Sequence, residues 1–206
     1  MKVVLFDWNG TVLNDIPVWH ESVKEIFCVY GKNPPTIAEY FSELEGDYLQ
    51  IYQSRGIVAS RDELNAIYEP FYEAHISEAV LFPSAKDVLL LLARLGIRIG
   101  LVTAQKENLV SPLLDKFGLS DLFWYKAFHA LDKKSAIQRI VADADVCPEN
   151  CYFVGDAPSD IRHGKKAGIK TIAFLGGYIP ESLVISAKPD TIHYFREIVS
   201  MMYFIK

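Results

Sequence analysis

The stretch Lys2–Asp15, KVVLFDWNGTVLND, decides the fold of this chain. Val3–Phe6 is a short, continuous aliphatic and aromatic run that ends abruptly in Asp7, followed by Trp8 and an Asn9-Gly10 turn. A strand apolar on both faces belongs in the middle of a parallel sheet, where helices cover both sides. Similar runs recur at Ile97–Val102, Tyr152–Val154 and Thr171–Phe174, with helical patterns between them. In PSAKDVLLLLARLG, Ser84 is placed as an N-cap with Asp87 as its capping-box partner, and Gly96 is the stop. The pattern DKKSAIQRIVADA begins with Asp132 as a candidate cap, and SDIRHGKKAG ends at Gly168. Strand, helix and strand repeated in this way predict right-handed crossovers and an α/β fold: a Rossmann-like, three-layer parallel-sheet core.

Residues 16–82 break the alternation. Trp19, Val23, Ile26, Phe27 and Tyr30 recur at helical spacing until Gly31 and the NPP run stop them. A second helix is expected over Ile37–Ser54, and a third from Ser60, with Glu63 completing a capping box and Pro70 kinking or dividing it. This segment reads as a small all-α cap subdomain, 16–82, inserted in a core made of 1–15 and 83–206. Its tyrosines, Tyr40, Tyr48, Tyr52, Tyr68 and Tyr72, read as helix packing.

Composition narrows the function. With 206 residues, half of them hydrophobic, the chain can bury a real core. Its 21 basic and 26 acidic residues give a net charge of −5 with no basic block to track a phosphate backbone, so nucleic acid is not an expected partner. Cys28, Cys147 and Cys151 are odd in number and lack a second pair for zinc, which suits reduced thiols in a cytoplasmic protein. No membrane partner is expected, because the N-terminal apolar run is far too short to span one. Monomer and homo-oligomer are both left open.

In an open parallel sheet, ligands gather at the carboxyl ends of the strands. Asp7, Thr103 and Asp156 stand at or beside such ends, and Lys133 stands at a helix start. Singly, each is most simply a helix cap or a surface charge; in this order they form a pattern. DWNGT at Asp7–Thr11, LVTA ending in Thr103 and Ala104, the lysine of DKK, and GDAPSD at Gly155–Asp160 resemble the four motifs of the haloacid dehalogenase superfamily of phosphohydrolases. The resemblance runs through nearly the whole chain, and the helical insertion falls where the family's smaller cap subtype places its cap.

That resemblance implies a Mg²⁺-dependent phosphohydrolase acting on a small phosphorylated substrate. Asp7 would be the nucleophile, and Thr103 and Lys133 would contact the transferring group. The Asp7 side chain, the Asn9 carbonyl and Asp156 would hold Mg²⁺, with Asp160 in or near that shell. Gly10, Thr11 and Ala104 would belong to the phosphate-binding surface. Lys133 is preferred to Lys134 because it directly follows the cap residue, and Lys134 stays the alternative. The family's dehalogenases need no metal and lack the Asp156–Asp160 pair, which favours phosphate over halide.

One residue departs from the pattern. Phosphatases of this family usually carry a second aspartate two positions after the nucleophile, as the acid that protonates the leaving oxygen and the base that activates water. Here it is Asn9, whose amide keeps the shape but cannot exchange a proton at neutral pH. General acid-base catalysis contributes roughly 10²–10⁴ in rate. Three readings stay open: selectivity for good leaving groups; a substitute acid or base among Asp15, His20 and His129; or a weak or inactive protein that binds a phosphorylated ligand or partner. Substrate choice is expected in the insertion, with ELEGDYLQIYQSRG (Glu45, Gly46, Asp47 and Arg55) the stretch to watch, against the plainer reading of a charged helix junction.

Overall fold

The first strand, β1 (Val3–Phe6), is buried along its whole length and occupies an interior position of a six-stranded parallel sheet. The structure is a computed structural model and describes residues 1–43 and 47–198. On one side of β1 lies β4 (Arg98–Val102) and then β5 (Tyr125–Ala127); on the other lie β6 (Cys151–Gly155), β7 (Lys170–Phe174) and β8 (Thr191–His193). Val3 pairs with Arg98 and Cys151, and Phe6 with Leu101 and Val154, so the three inner strands end nearly level. The chain builds outward from β1 to β5, then returns to β1's other edge with β6. Such a reversal opens a crevice at the carboxyl ends.

Helices flank the sheet. Ile137 and Ile140 of α7 (Lys133–Ala144) are fully buried in a core with Val3, Leu5, Val102 and Phe153. Ile161 of α8 (Pro158–Ala167) packs with Ala173 of β7 and Val184 of α9 (Glu181–Ser186). The remaining helices of this unit are α5 (Ala85–Arg94) and α6 (Glu107–Phe117). Full burial of a Leu, Ile or Phe side chain contributes about 1.5–3 kcal/mol, so these faces dominate the stability of the sheet unit.

Two compact units divide the chain: Met1–Asn14 with Val80–Lys206, and Asp15–Ala79. A short antiparallel ribbon within the first, β2 (Leu13–Asn14) against β3 (Val80–Leu81), brings the two ends of the insertion side by side. The second unit is helical: α1 (Ile16–Val29), α2 (Ile37–Ser42), α3 (Leu49–Ser54) and α4 (Arg61–His75). Thr36 and Ser60 each form a complete capping box, with Glu39 and Glu63. The core of this unit is aromatic: Phe27 stacks on Tyr52 at 5.4 Å, and Trp19 meets Tyr40 edge-on at 4.8 Å.

Several expectations need correction. Ser84 does not cap α5 through its side chain; it adopts a left-handed conformation (φ 68°) and its hydroxyl accepts from Arg196 Nε at 3.0 Å. The single helix expected over 37–54 is two short ones, α2 and α3. Pro70 does not divide α4, which runs unbroken through it, started by its capping box and anchored by buried Leu64 and Tyr72. Strands β5 and β8 carry no continuous apolar run, because edge and outer strands are only partly buried here.

Candidate active site

Three of the singled-out residues follow strand ends directly. Asp7 continues from β1, its N–H donating to Val154 O at 2.9 Å; Thr103 continues from β4; Asp156 continues from β6. All three are buried, as are Thr11 and Asp160. Asp160 lies in the first turn of α8 and accepts from the Ala157 N–H at 3.2 Å, closing that helix start.

The loop after β1 is tied down by its own backbone. Trp8 O accepts from the N–H groups of Thr11, Val12 and Leu13, and Gly10 N–H donates to Leu13 O at 2.9 Å. Gly10 has φ +78°, and a Cβ there would run into the Asp156 carboxylate. Only glycine satisfies both demands without strain. Thr11 Oγ1 donates to Asp156 Oδ1 at 2.9 Å, so the loop and the end of β6 are joined by side chain as well.

Asp7, Asp156 and Asp160 each offer an oxygen within 4.8 Å of the others. Into this group reaches the Lys133 ammonium, 2.8 Å from Asp7 Oδ1 and 2.7 Å from Asp160 Oδ1. It is Lys133 rather than Lys134 that makes both contacts. Burial pushes the Asp7 carboxyl up to about 7, against the pull of Lys133. Burial also raises Asp156 well above the usual carboxylate range, helped by Asp160 and Asp7. For Lys133, burial favours the neutral amine, but Asp160 and Asp7 together outweigh it and hold the ammonium more firmly than in water.

The residues suit a divalent cation. Three buried carboxylates face one ammonium, and the surplus negative charge is costly in a low-dielectric site unless protonated or paired. Asp7, Asp156 and Asp160 offer the hard oxygen donors that Mg²⁺ prefers.

Thr103 Oγ1 accepts from the Gln105 N–H at 3.0 Å, which leaves the hydroxyl proton to donate elsewhere. Ala104 beside it is exposed at the strand end. Sequence reading missed the backbone that supports Asp156 from the far side: Tyr178 N–H points to Asp156 Oδ2 at 3.4 Å, and a Cβ on Gly177 would run into that carboxylate. The pair Gly176-Gly177 was the available signal, since adjacent glycines mark a close backbone approach.

Two of the three alternative acid-base residues, His20 and Asp15, have other engagements. His20 Nε2 pairs with Pro35 O at 2.9 Å, and Asp15 accepts from Tyr72 OH at 2.5 Å, both within the helical unit. His129 is exposed, with a left-handed backbone (φ 50°). In the stretch watched for substrate choice, Glu45 and Gly46 lie outside the described residues. Asp47 pairs with Arg61 at 2.9 Å, and Arg55 grips Glu43 through both nitrogens at 2.5 and 2.7 Å.

A parallel sheet with a strand-end aspartate, a threonine, a lysine and an aspartate pair, in that chain order, defines a hydrolase class, and the family comparison agrees. Residues 4–174 match the haloacid dehalogenase-like hydrolase family, to which this chain belongs. Among curated proteins it resembles the phosphoglycolate phosphatase of Pseudomonas putida KT2440 (26% identity over 192 residues, 86% of this chain and 70% of that protein). Phosphoglycolate phosphatase 1 of Pseudomonas aeruginosa PAO1 is 28% identical over the same shares. Among solved structures, a haloacid dehalogenase-like hydrolase of Streptococcus pneumoniae superposes with a TM-score of 0.83 at 20% identity, over 98% of each chain. Among the described residues, no helix is long and apolar enough to cross a membrane.

Proposed function

We propose that this protein is a Mg²⁺-dependent phosphohydrolase that acts on a small phosphorylated metabolite through an aspartyl phosphate on Asp7. The observation that carries this reading is the buried Lys133 ammonium placed between Asp7 and Asp160, within a carboxylate group that includes Asp156. An Asp7 oxygen attacks phosphorus as the bond to the ester oxygen breaks; the leaving oxygen takes its proton from water, since the Asn9 amide cannot give one, and one hard displacement becomes two easier ones. Lys133 offsets the repulsion between nucleophile and phosphoryl group, and the Thr103 hydroxyl donates to one of its oxygens. Bound at Asp7, Asn9, Asp156 and Asp160, Mg²⁺ would neutralise charge that builds on the phosphoryl oxygens. Water then cleaves the acyl phosphate, releasing inorganic phosphate and restoring Asp7. The helical unit serves as the cap in this reading, and cytoplasmic location suits the reduced cysteines.

Asn9 supports one alternative: a catalytically weak protein that binds a phosphorylated ligand or partner. The deciding experiment is Mg²⁺-dependent phosphate release from acetyl phosphate, p-nitrophenyl phosphate, 2-phosphoglycolate and a simple alkyl phosphate. Turnover of the activated esters that Asp7→Asn abolishes supports the enzyme. No turnover in native protein or in Asn9→Asp supports the binding protein.

A further inference from the structure

Two backbone segments grip the Asp156 carboxylate, and they come from distant stretches of the chain. A Cβ at Gly10 or at Gly177 would run into the Asp156 side chain, so both glycines lie directly against it. From the first segment Thr11 Oγ1 donates to Oδ1 at 2.9 Å; from the second the Tyr178 N–H points to Oδ2 at 3.4 Å. The first segment is braced internally, by the bonds that the Thr11, Val12 and Leu13 N–H groups make to Trp8 O. The second has no such brace. Among the described residues, Gly176, Gly177 and Ile179 take part in no backbone hydrogen bond, and the sheet's hold ends with Leu175 N–H on His193 O at 3.0 Å.

Ile179 packs beyond it on the core of Ile161, Ala173 and Val184, so the anchor on the Asp156 side is the Tyr178 side chain. Its hydroxyl donates to Leu13 O at 3.3 Å, and its ring lies tilted against Phe82 at 6.2 Å. Phe82 is itself fixed, with its N–H on Val12 O at 3.0 Å and its ring edge-on to Phe174 at 5.3 Å. Leu13 O also accepts from the Gly10 N–H at 2.9 Å, as a carbonyl with two lone pairs can. One carbonyl therefore receives a donor from each segment that touches Asp156. The circuit closes from Asp156 through Gly10, Leu13 O and the Tyr178 hydroxyl to the Tyr178 N–H and back to the carboxylate. Both Tyr178 contacts are longer than the roughly 2.7–3.2 Å of an ordinary bond, so neither fixes the segment alone.

We propose that Tyr178 is a positioning residue for Asp156: its hydroxyl, seated on Leu13 O, holds the Gly177–Tyr178 backbone against the carboxylate and so sets the place of a cation ligand. The inference rests on the phosphohydrolase reading in one respect, that Asp156 is a Mg²⁺ ligand. Groups behind a metal ligand orient it, and losing one costs about 10–100-fold in affinity. The Tyr178 hydroxyl acts one contact further back, and its effect is smaller.

Thermal melts of the full chain against increasing Mg²⁺ at fixed ionic strength test this without turnover. Tyr178→Phe keeps the ring and loses the hydroxyl. The Mg²⁺ concentration needed for a fixed rise in Tm above the variant's own metal-free Tm should increase about three- to tenfold, the scale of one neutral hydrogen bond. Gly177→Ala presses on the same carboxylate from the same side and should increase it at least as much. A purely structural role predicts a lower metal-free Tm with an unchanged Mg²⁺ requirement, and that result overturns the proposal. So does a Gly177→Ala variant with the native requirement, because the hydroxyl would then act by another route. A native protein that does not respond to Mg²⁺ removes Asp156 as a ligand and takes this proposal with it. A native protein that responds beside an unaltered Tyr178→Phe overturns the role of Tyr178 alone, which keeps the two failures distinct.

Discussion

The Lys133 ammonium lies 2.8 Å from the Asp7 carboxylate, with only about a tenth of either side chain exposed. A buried pair of this kind tolerates the loss of one partner poorly, because the other is left charged in low dielectric. Lys133→Met is therefore expected to lower phosphate release from p-nitrophenyl phosphate by about 10²-fold or more, the scale of removing one preorganised electrostatic contact. Lys133→Arg should restore little, since the planar guanidinium does not replace a compact ammonium between two carboxylates. Steady-state kinetics with saturating Mg²⁺ would check both, and near-native turnover in Lys133→Met would remove the lysine from the mechanism.

On the proposed phosphohydrolase reading, Asn9→Asp would place a proton carrier in the first loop. The expected gain is unequal: about 10²-fold for an alkyl phosphate, whose leaving oxygen needs a proton, and less for attack on acetyl phosphate, whose leaving group does not. Measuring kcat on both substrates gives the ratio directly. An equal change on both would mean that the substitution alters positioning rather than proton transfer.

Much of this site was legible because its parts are local in sequence. Each of Asp7, Thr103 and Asp156 ends an apolar run, and such runs announce buried parallel strands without help from tertiary structure. The edge and outer strands β5 and β8 were illegible, because Tyr125–Ala127 and Thr191–His193 are only partly covered and take their conformation from a neighbouring strand. Ser84 misled for a related reason. A Ser-x-x-Asp spacing suits a cap, but an αL turn and the Arg196 contact claim that hydroxyl instead. The Gly177 and Tyr178 support of Asp156 comes from a loop far along the chain, and long-range backbone contacts leave no periodic trace. The family motifs supplied the roles of the side chains, whereas the Tyr178 hydroxyl on Leu13 O belongs to no motif.

Burial raises Asp7 to about 7 from an ordinary carboxylate value of 3.8, and this makes cation binding depend on pH. The metal-free folded state holds a proton on Asp7 that the unfolded chain has already released, so Asp7's contribution to stability falls as pH rises from about 4 to 7. Mg²⁺ must displace that proton below pH 7 and need not above it. The Mg²⁺-induced rise in Tm is therefore expected to be larger at pH 8 than at pH 5.5, and Asp7→Asn should shrink that difference without abolishing it, because burial also raises the Asp156 carboxyl. Thermal melts at matched ionic strength would show it, and a larger rise at the lower pH would contradict the assignment of Asp7 as a ligand.

Gly10→Ala tests whether the first loop is shaped by backbone or by side chains. A φ of +78° costs an L-residue roughly 1–2 kcal/mol, and the added methyl also meets the Asp156 carboxylate. That carboxylate has little room to retreat, because Thr11 holds one oxygen and the Tyr178 N–H faces the other. The variant should lose about 1–3 kcal/mol of stability by urea denaturation. Its apparent Mg²⁺ affinity, read from Tm shifts, should fall as well, because Asp156 is displaced from the carboxylates it faces. A second substitution separates the two causes: Thr11→Val removes the hydroxyl bond to Asp156 while leaving Gly10 free to turn. If backbone strain dominates, Gly10→Ala is the more destabilising and Thr11→Val affects chiefly Mg²⁺ affinity; the reverse order would show that the Thr11–Asp156 bond is what closes the loop.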